Sequence, residues 1–296
     1  MPSTVLLPNQ FTLNALYTFT QAVVGYDGLP RDKHFIFDFQ YLGFVDGFGL
    51  TIFCNTIEWL RALGVQVSFS NFGASHNPGI RYMDDSGFFQ KYLGKPLVPG
   101  RTPRATTLPF TYVAHADAHG WLEGTFTPWA SHALGVTPGS LGSIRTCVKE
   151  LFNNILDHSN RESGHIHVQH YPKVRLVNIT VSDFGRGIPN NIRAQFGQMS
   201  DQDAILHASR RGITTKGHPN NQGEGLDLLI DNVTGNDGNV SIYSFSGALN
   251  CSRDASGGVQ RTHWAGNGSY PGTLVDICLR TDKFVGDVEE RETVEW

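Results

Sequence analysis

The sequence has no long run of lysine and arginine, no CxxC pair and no apolar segment approaching about 18 residues. Because clustered basic residues are missing, we expect no nucleic-acid partner. The four cysteines, at positions 54, 147, 251 and 278, lie far apart, which argues against a zinc ribbon and against a dense disulfide framework. We therefore expect a cytoplasmic protein that has no membrane association.

The chain has 296 residues, 40% of them hydrophobic and 17% charged, which is enough for two packed domains. A segment rich in proline and glycine over 94–104 marks a boundary between them. Glycine is abundant and clusters between Gly185 and Gly272, where tight turns or close approach to a ligand are expected. The predicted organisation is a domain over 1–104, a connecting segment over 105–138 and a second domain over 139–296.

Helix and strand patterns alternate in the first domain. Residues 11–26 have the spacing of an amphipathic helix, and residues 34–40 alternate like a buried strand. After a glycine-punctuated turn over 41–50 come a helix that ends at Gly64, a strand over 65–72 and a short helix over 81–94. The strand–helix–strand order predicts a mixed or parallel sheet that is covered by helices, an α/β fold.

The second domain has the pattern of an α+β sandwich, a helical layer on a mainly antiparallel sheet. The connecting segment is interpreted as a strand and a helix that dock the two halves. The predicted elements of the second domain are a helix over 143–158, strands over 165–171 and 174–184, glycine-rich loops, a helix over 226–233, and strands over 239–247 and 273–281.

The helix over 143–158 has an apolar face and an opposite polar face. Glu150 and Asn154 lie one turn apart on the polar face. A carboxylate there could polarise a nucleophile, and the amide oxygen could join the oxygen shell of a hard cation. A plain exposed surface is the alternative. The apolar face comprises Val148, Leu151, Phe152 and Ile155, and the polar face comprises Glu150, Asn154, Asp157 and His158.

Asp183 ends a strand and is followed by Gly185 and Gly187. A carboxylate at a strand end can accept a hydrogen bond from an exocyclic amine, and glycines let the backbone approach a flat ring, which suits adenine. The alternative is a simple turn after the strand.

A second glycine-rich stretch precedes the helix over 226–233. It carries Thr214, Thr215 and Lys216, then Gly223 and Gly225. Free amides at a helix N-terminus form an anion site that suits a phosphate chain, and the loop could close as a lid. A flexible surface loop is the alternative.

Together these motifs resemble the GHKL ATPase superfamily, which includes histidine kinases, anti-sigma serine kinases, type II topoisomerases and heat-shock chaperones. The resemblance covers about residues 140–282 and implies a Bergerat fold that binds ATP and Mg²⁺. The motifs are, in chain order, Glu150-x-x-x-Asn154, Asp183-x-Gly185-x-Gly187, Gly223-x-Gly225-Leu226 and Gly272-Thr273.

The resemblance also implies a role for each residue. Asn154 is expected to bind magnesium, Asp183 to read the adenine amine beside Thr273, and Glu150 to act as general base. Asp157 stands where histidine kinases often carry a basic residue, and Lys216 could supply the compensating charge. The full expected nucleotide-binding set is Asn154, Asp157, His158, Asp183, Gly185, Gly187, Ile188, Thr215, Lys216, Gly223, Gly225, Leu226 and Thr273.

The first domain is similar to STAS domains over about residues 10–97. Phosphorylatable STAS proteins carry a serine or threonine just after the aspartate that Asp46 matches, and this chain has Gly47 there. A docking or regulatory role is therefore expected rather than a phosphorylation switch.

Two hypotheses for function remain. One is an enzyme, either a slow ATPase or a serine/threonine protein kinase of the anti-sigma kind. The other is a nucleotide-gated interaction module in which ATP binding closes the 212–226 loop without essential turnover. Both imply a protein partner, and a homodimer is compatible with the resemblance. His165, His167 and His170 are interpreted as exposed strand residues rather than as a metal site.

Overall fold

The computed structural model describes residues 2–73, 76–159, 163–213 and 225–283. For residues 115, 153–159, 163 and 164 it describes the backbone only. In the part of the chain so described, no helix combines the length and the apolar character that a membrane crossing needs.

The first half of the chain is a parallel α/β unit. Its elements are β1 (Ser3–Leu6), β2 (Gln10–Phe11), α1 (Leu16–Val23), β3 (His34–Asp38), β4 (Phe44–Val45), α2 (Gly47–Ala62), β5 (Gln66–Ser70), α3 (Pro78–Asp85) and α4 (Phe88–Leu93). Strands β1, β3 and β5 pair in that order and run parallel, and β2 pairs with β4. Because α2 joins β3 to β5, the structure contains the strand–helix–strand unit that the sequence predicts.

Helix α2 begins three residues earlier than the sequence pattern indicates. The Asp46 carboxylate accepts a hydrogen bond from the Gly49 amide at 2.8 Å and so caps the helix. A β-carbon at Gly49 would lie 1.9 Å from the Phe11 carbonyl oxygen. The prediction of a turn that runs to residue 50 was therefore wrong. Gly47 and Gly49 lie in the first turn of a buried helix, where they allow close packing.

The single short helix predicted over 81–94 is two helices, α3 and α4. Asn77 caps α3 by accepting hydrogen bonds from the amides of Gly79 and Ile80. Between the two helices Gly87 has a φ of +79°, which a helix cannot accommodate. The glycine thus ends one helix and redirects the chain into the next.

The second half of the chain is built on one antiparallel sheet. Its elements are β6 (Thr107–Ala114), α5 (Ala118–Trp121), α6 (Thr127–Leu134), α7 (Gly142–Ser159), β7 (Ser163–Tyr171), β8 (Leu176–Asp183), α8 (Ile188–Phe196), α9 (Asp201–Ala208), α10 (Gly225–Gly235), β9 (Asn239–Arg253) and β10 (Val259–Arg280). The strand order is β6-β7-β8-β10-β9, and each neighbouring pair is antiparallel. This mixed α/β arrangement is consistent with the Bergerat fold.

One face of this sheet, which we call the inner face, packs against α7 and α10. Alternate residues of each strand enter the core, as a pleated strand requires. The helical layer on an antiparallel sheet therefore agrees with the sequence pattern. The buried apolar side chains include Val148 and Leu151 of α7, Leu229 and Val233 of α10, and Ile166, Val168, Val177, Ile179, Val181, Ile242, Val275 and Ile277 of the strands.

The other face of the sheet, the outer face, is covered by the first half of the chain. Helix α1 lies against β10, and α2 lies against β7 and β8. A β-carbon at Gly266 would lie 2.1 Å from the ring of Tyr17, so α1 approaches the β9–β10 hairpin closely. Tyr243, Ala248, Tyr270 and Leu274 of the outer face belong to the hydrophobic core of the first half. The two halves therefore share a core.

The segment 105–138, expected to be a connector, forms part of the second half. Strand β6 is the edge strand of the sheet and pairs with β7. Leu122, Phe126 and Ala130 are buried in the same core as α7. The strand and helix read from the sequence are thus present, and they extend the second core.

Helices α8 and α9 occupy a stretch that the sequence left as glycine-rich loops. Helix α8 starts directly after Gly187, and Ser200 caps α9 by accepting a hydrogen bond from the Asp203 amide. Arg193 of α8 and Asp201 of α9 form an ion pair that joins the two helices. Short helices of eight or nine residues carry too few turns for a clear apolar period, which explains why the pattern missed them.

Candidate functional site

Helix α7 carries the first motif. Its buried face includes Val148, Leu151 and Phe152, and Glu150 is partly exposed beside them. Asn154, Asp157 and His158 lie within the same helix, but their side chains are outside the described part of the structure. The predicted roles of these three residues stay predictions.

Asp183 is the last residue of β8 and is only 5% exposed. Its Oδ1 atom accepts a hydrogen bond from the Gly185 amide at 2.6 Å, which shapes the turn that follows the strand. Thr273 of β10 is its direct partner in the antiparallel pairing of β8 and β10. Because side chains at odd positions of β8 enter the inner core, Asp183 lies on the same face as the helical layer.

Ser244 of β9 joins the loop after Asp183 to β10. Its hydroxyl donates a hydrogen bond to the Gly272 carbonyl oxygen at 2.5 Å and accepts one from the Ile188 amide at 3.1 Å. Gly187 has a φ of +73°, and a β-carbon there would lie 2.9 Å from Ser244 Oγ and from the Phe245 ring. Packing within the protein therefore already requires a glycine at position 187. Sequence reasoning missed Ser244, since a lone serine in a strand carries no signal.

The glycine-rich stretch before α10 is described only in part. Thr214, Thr215, Lys216 and Gly223 lie outside the described residues. Gly225 begins α10, and Leu226 packs on the second core.

An ion pair holds the first turn of α10. Arg261 of β10 donates a hydrogen bond to Asp227 at 2.9 Å and a second one to the Ser209 carbonyl oxygen at 3.3 Å. Helix α10 lies against α7. The helix start therefore has a fixed position next to the helix of the first motif. No sequence pattern indicated this pair, whose residues are 34 positions apart.

The histidines of β7 are not exposed, so that interpretation was wrong. His167 is fully buried and His170 is 8% exposed, while the ring of His165 stacks on Phe110 at a centroid distance of 4.8 Å. The side chains of His165 and His167 face the first half of the chain, which covers the outer face of the sheet. His170 lies on the inner face, with Ile166 and Val168. Within the described ranges, no cluster of three or more His, Cys, Asp or Glu side chains suits a metal ion.

A buried polar cluster surrounds His167 at the N-terminus of α2. The Asp276 carboxylate accepts hydrogen bonds from Thr180 at 2.6 Å and from Asn178 at 2.9 Å. Burial raises the pKa of Asp276 and that of Asp46 to about 6. Burial also lowers the pKa of His167 to about 4, and neither of its ring nitrogens has a hydrogen-bond partner among the described atoms. The imidazole is therefore neutral at pH 7.

A comparison with protein-family models agrees with this arrangement in the second half. Residues 139–248 match the family model of "Histidine kinase-, DNA gyrase B-, and HSP90-like ATPase". The matched residues include α7, Asp183 with its following glycines, and Ser244. The chain thus contains a GHKL ATPase-family domain over these residues, and that family implies ATP binding.

Solved structures were matched as well. One is the ATPase region of Saccharomyces cerevisiae topoisomerase II, with 9% sequence identity and a TM-score of 0.30. The match covers 50% of this chain and 40% of that chain, so this chain spans about two fifths of the topoisomerase region. A comparison with curated proteins gives no significant match.

Proposed function

We propose that the second half of the chain binds Mg-ATP, with the purine held against Asp183. The observation that carries this proposal is the pairing of Asp183 with Thr273 at the ends of β8 and β10, beside the turn of Gly185 and Gly187. A carboxylate at that position can accept a hydrogen bond from the 6-amino group of adenine, whereas guanine carries a carbonyl oxygen at the same ring position.

The chemistry of the surrounding residues fits the rest of a nucleotide. Helix α10 begins at Gly225, and the amides of a first helical turn favour a phosphate chain. We assign Gly223, Gly225 and Leu226 to the phosphates, together with Thr215 and Lys216. Asn154 is assigned to Mg²⁺, because an amide oxygen suits a hard cation. Asp157, His158 and Ile188 complete the proposed site.

We propose further that the bound nucleotide is turned over, by a slow ATPase or by a serine/threonine protein kinase of the anti-sigma kind. Glu150 is the proposed general base, which takes a proton from water or from a substrate hydroxyl. This role is supported by the position of Glu150 on α7, one turn before Asn154. A protein partner in a cytoplasmic signalling pathway fits this role, as do the four free cysteines.

Binding is tested by isothermal titration with a non-hydrolysable ATP analogue and Mg²⁺. The wild type should bind, and Asp183→Asn should lose affinity by about tenfold or more, because the amide presents a donor to the adenine amine. Asp231→Asn is the matched control, since Asp231 is an exposed carboxylate on α10. Equal affinity of Asp183→Asn and wild type would refute the assigned purine contact.

Turnover is tested separately with Glu150→Gln. This variant should keep the affinity for the analogue and lose phosphate release from ATP or transfer to a partner serine, which mass spectrometry detects. If Glu150→Gln turns ATP over at the wild-type rate, Glu150 is not the base.

A nucleotide-gated interaction module is the second candidate. The observation that favours it is the hydrogen bond from Asn55 of the first half to Ser182, the residue next to Asp183. Nucleotide binding could then change a surface of the first half, or a homodimer contact, without turnover. Sedimentation with and without the analogue measures the dimer, and Glu150→Gln should leave any such response intact.

A further inference from the structure

Helix α2 crosses the outer face of the sheet directly behind Asp183. The Asn55 side chain of α2 is buried and donates hydrogen bonds of 2.7 Å to the hydroxyls of Ser182 and Tyr270. Those two hydroxyls also bond to each other. The strand that ends in Asp183 is therefore fixed to the first half by a buried polar contact one residue before the carboxylate.

An aromatic stack fixes the residue on the other side of Asp183. Trp59 lies one helical turn after Asn55, and its ring stacks on Phe184 at a centroid distance of 5.1 Å and an interplanar angle of 18°. The Phe184 ring also stacks on Tyr270 at 5.2 Å. Phe184 is thus held between one aromatic ring from each half of the chain.

These contacts hold the residues on both sides of Asp183. Successive residues of a strand point to opposite faces, so Ser182 and Phe184 point outward while Asp183 points toward α7 and α10. Ser182 and Phe184 are both held by α2, and neither Asn55 nor Trp59 lies on the inner face. The side chains of α2 can therefore set where the Asp183 carboxylate stands without touching a nucleotide.

We propose that Asn55 and Trp59 are positioning residues for purine recognition by Asp183, so that the first half of the chain sets the base selectivity of the nucleotide site. This inference rests on the proposed function. A hydrogen-bonding group has to be held to within about 0.5 Å of its working position, and buried supporting contacts provide that restraint. In the proposed site the phosphates lie at the start of α10, on the inner face of the sheet, whereas α2 covers the outer face.

The experiment compares Asn55→Ala and Trp59→Leu with wild type in the full-length chain. Titration calorimetry measures the affinities for Mg-ADP, Mg-GDP and magnesium tripolyphosphate. Both variants should bind Mg-ADP about tenfold more weakly and show a smaller ratio of Mg-ADP to Mg-GDP affinity. Their affinity for tripolyphosphate should stay within about twofold of wild type, because the phosphate contacts are unchanged.

Two further variants separate positioning from general stability. Ile57→Ala removes a fully buried side chain on the opposite side of α2 and should lower stability to urea while leaving the Mg-ADP to Mg-GDP ratio unchanged. Trp59→Phe keeps an aromatic ring over Phe184 and should restore most of the ratio that Trp59→Leu loses.

The outcomes are distinct. If wild type binds Mg-ADP while Asn55→Ala and Trp59→Leu keep the wild-type ratio, the positioning role is wrong and the proposed function stands. If Ile57→Ala loses the ratio as Trp59→Leu does, the effect is general loosening, and the positioning role is again wrong. If wild type itself does not bind Mg-ADP, the proposed function fails first.

Discussion

Gly272 lies directly against the backbone of Asp183: a β-carbon on Gly272 would be 2.2 Å from the Asp183 carbonyl oxygen. Gly272 also has a φ of +116°, which side-chain-bearing residues rarely adopt. We expect Gly272→Ala to push β10 away from β8 and to lower the free energy of unfolding by about 2–5 kcal/mol. Urea unfolding measures the loss, and titration with Mg-ADP should show weaker binding.

Gly257→Ala is the matched control for this substitution. Gly257 also has a positive φ, +89°, but the nearest atom to a β-carbon there is 3.7 Å away, an ordinary contact. We expect about 1–2 kcal/mol of backbone strain and an unchanged affinity for Mg-ADP. If both variants lose the same free energy of unfolding, the close contact between residue 272 and Asp183 does not contribute to the loss.

Ser244 provides the second prediction. In Ser244→Ala the Gly272 carbonyl and the Ile188 amide both lose a buried partner, which should cost about 1–3 kcal/mol in the free energy of unfolding. The turn after Asp183 should also loosen, which weakens Mg-ADP binding. Ser252→Ala, on a partly exposed position of the same strand, should change neither measurement. Wild-type stability of Ser244→Ala would show that water replaces both bonds.

The ion pair of Asp227 and Arg261 provides the third prediction. Both side chains are largely buried, so Asp227→Asn should lower the free energy of unfolding by about 1–3 kcal/mol and weaken nucleotide binding at the start of α10. Asp237→Asn weakens the exposed ion pairs with Arg253 and Lys283 and should cost at most about 1 kcal/mol. A double-mutant cycle with Arg261→Gln gives the coupling, and a coupling near zero would contradict the assigned role of the pair.

The pH dependence of His167 provides the fourth prediction. Its pKa in the folded protein, about 4, lies below the unfolded value of 6.5, so its contribution to stability is present above pH 6.5 and is lost as the pH falls toward 4. His167→Leu removes no hydrogen bond seen in the described structure and removes this loss. The stability of the variant relative to wild type should therefore grow by roughly 1.4 kcal/mol for each unit of pH between 6.5 and about 4.

Two nearby carboxyls have the opposite effect on wild type. The pKa values of Asp46 and Asp276 are raised to about 6, so their burial destabilises the fold as the pH rises above 4. The contributions of Asp46 and Asp276 cancel when His167→Leu is compared with wild type. The imidazole of folded His167 is neutral, so replacing it leaves the charge around the two carboxyls unchanged. A difference that stays constant from pH 7 to 4.5 would show that folded His167 takes up its proton at an ordinary pH.

Local patterns predicted much of this fold. The α2 helix, the two central strands of the second sheet and the helices α7 and α10 each carry a clear apolar period or a buried run. The resemblance to the GHKL superfamily also implied that Thr273 lies beside Asp183, and the two residues are direct partners in the pairing of β8 with β10. The roles of these residues in nucleotide binding stay predictions.

Contacts between distant parts of the chain could not be predicted in this way. Asn55 bonds to residues 127 and 215 positions away, and no local period records such a partner. His165 and His167 of β7 were interpreted as exposed, yet the first half of the chain covers them. Polar residues that alternate along a strand indicate only that the two faces of the sheet differ in polarity. They do not show that the polar face is exposed, because a second domain can cover either face.

The shared core has a consequence for how this protein can be divided. Tyr243, Ala248, Tyr270 and Leu274 are parts of the second sheet that complete the interior of the first half. A truncated chain that keeps only the ATPase-like part would expose these apolar side chains to water. The removed first half would lack the part of its hydrophobic core that these side chains supply. We therefore expect a related protein that carries the second half alone to have polar residues on this side of its sheet.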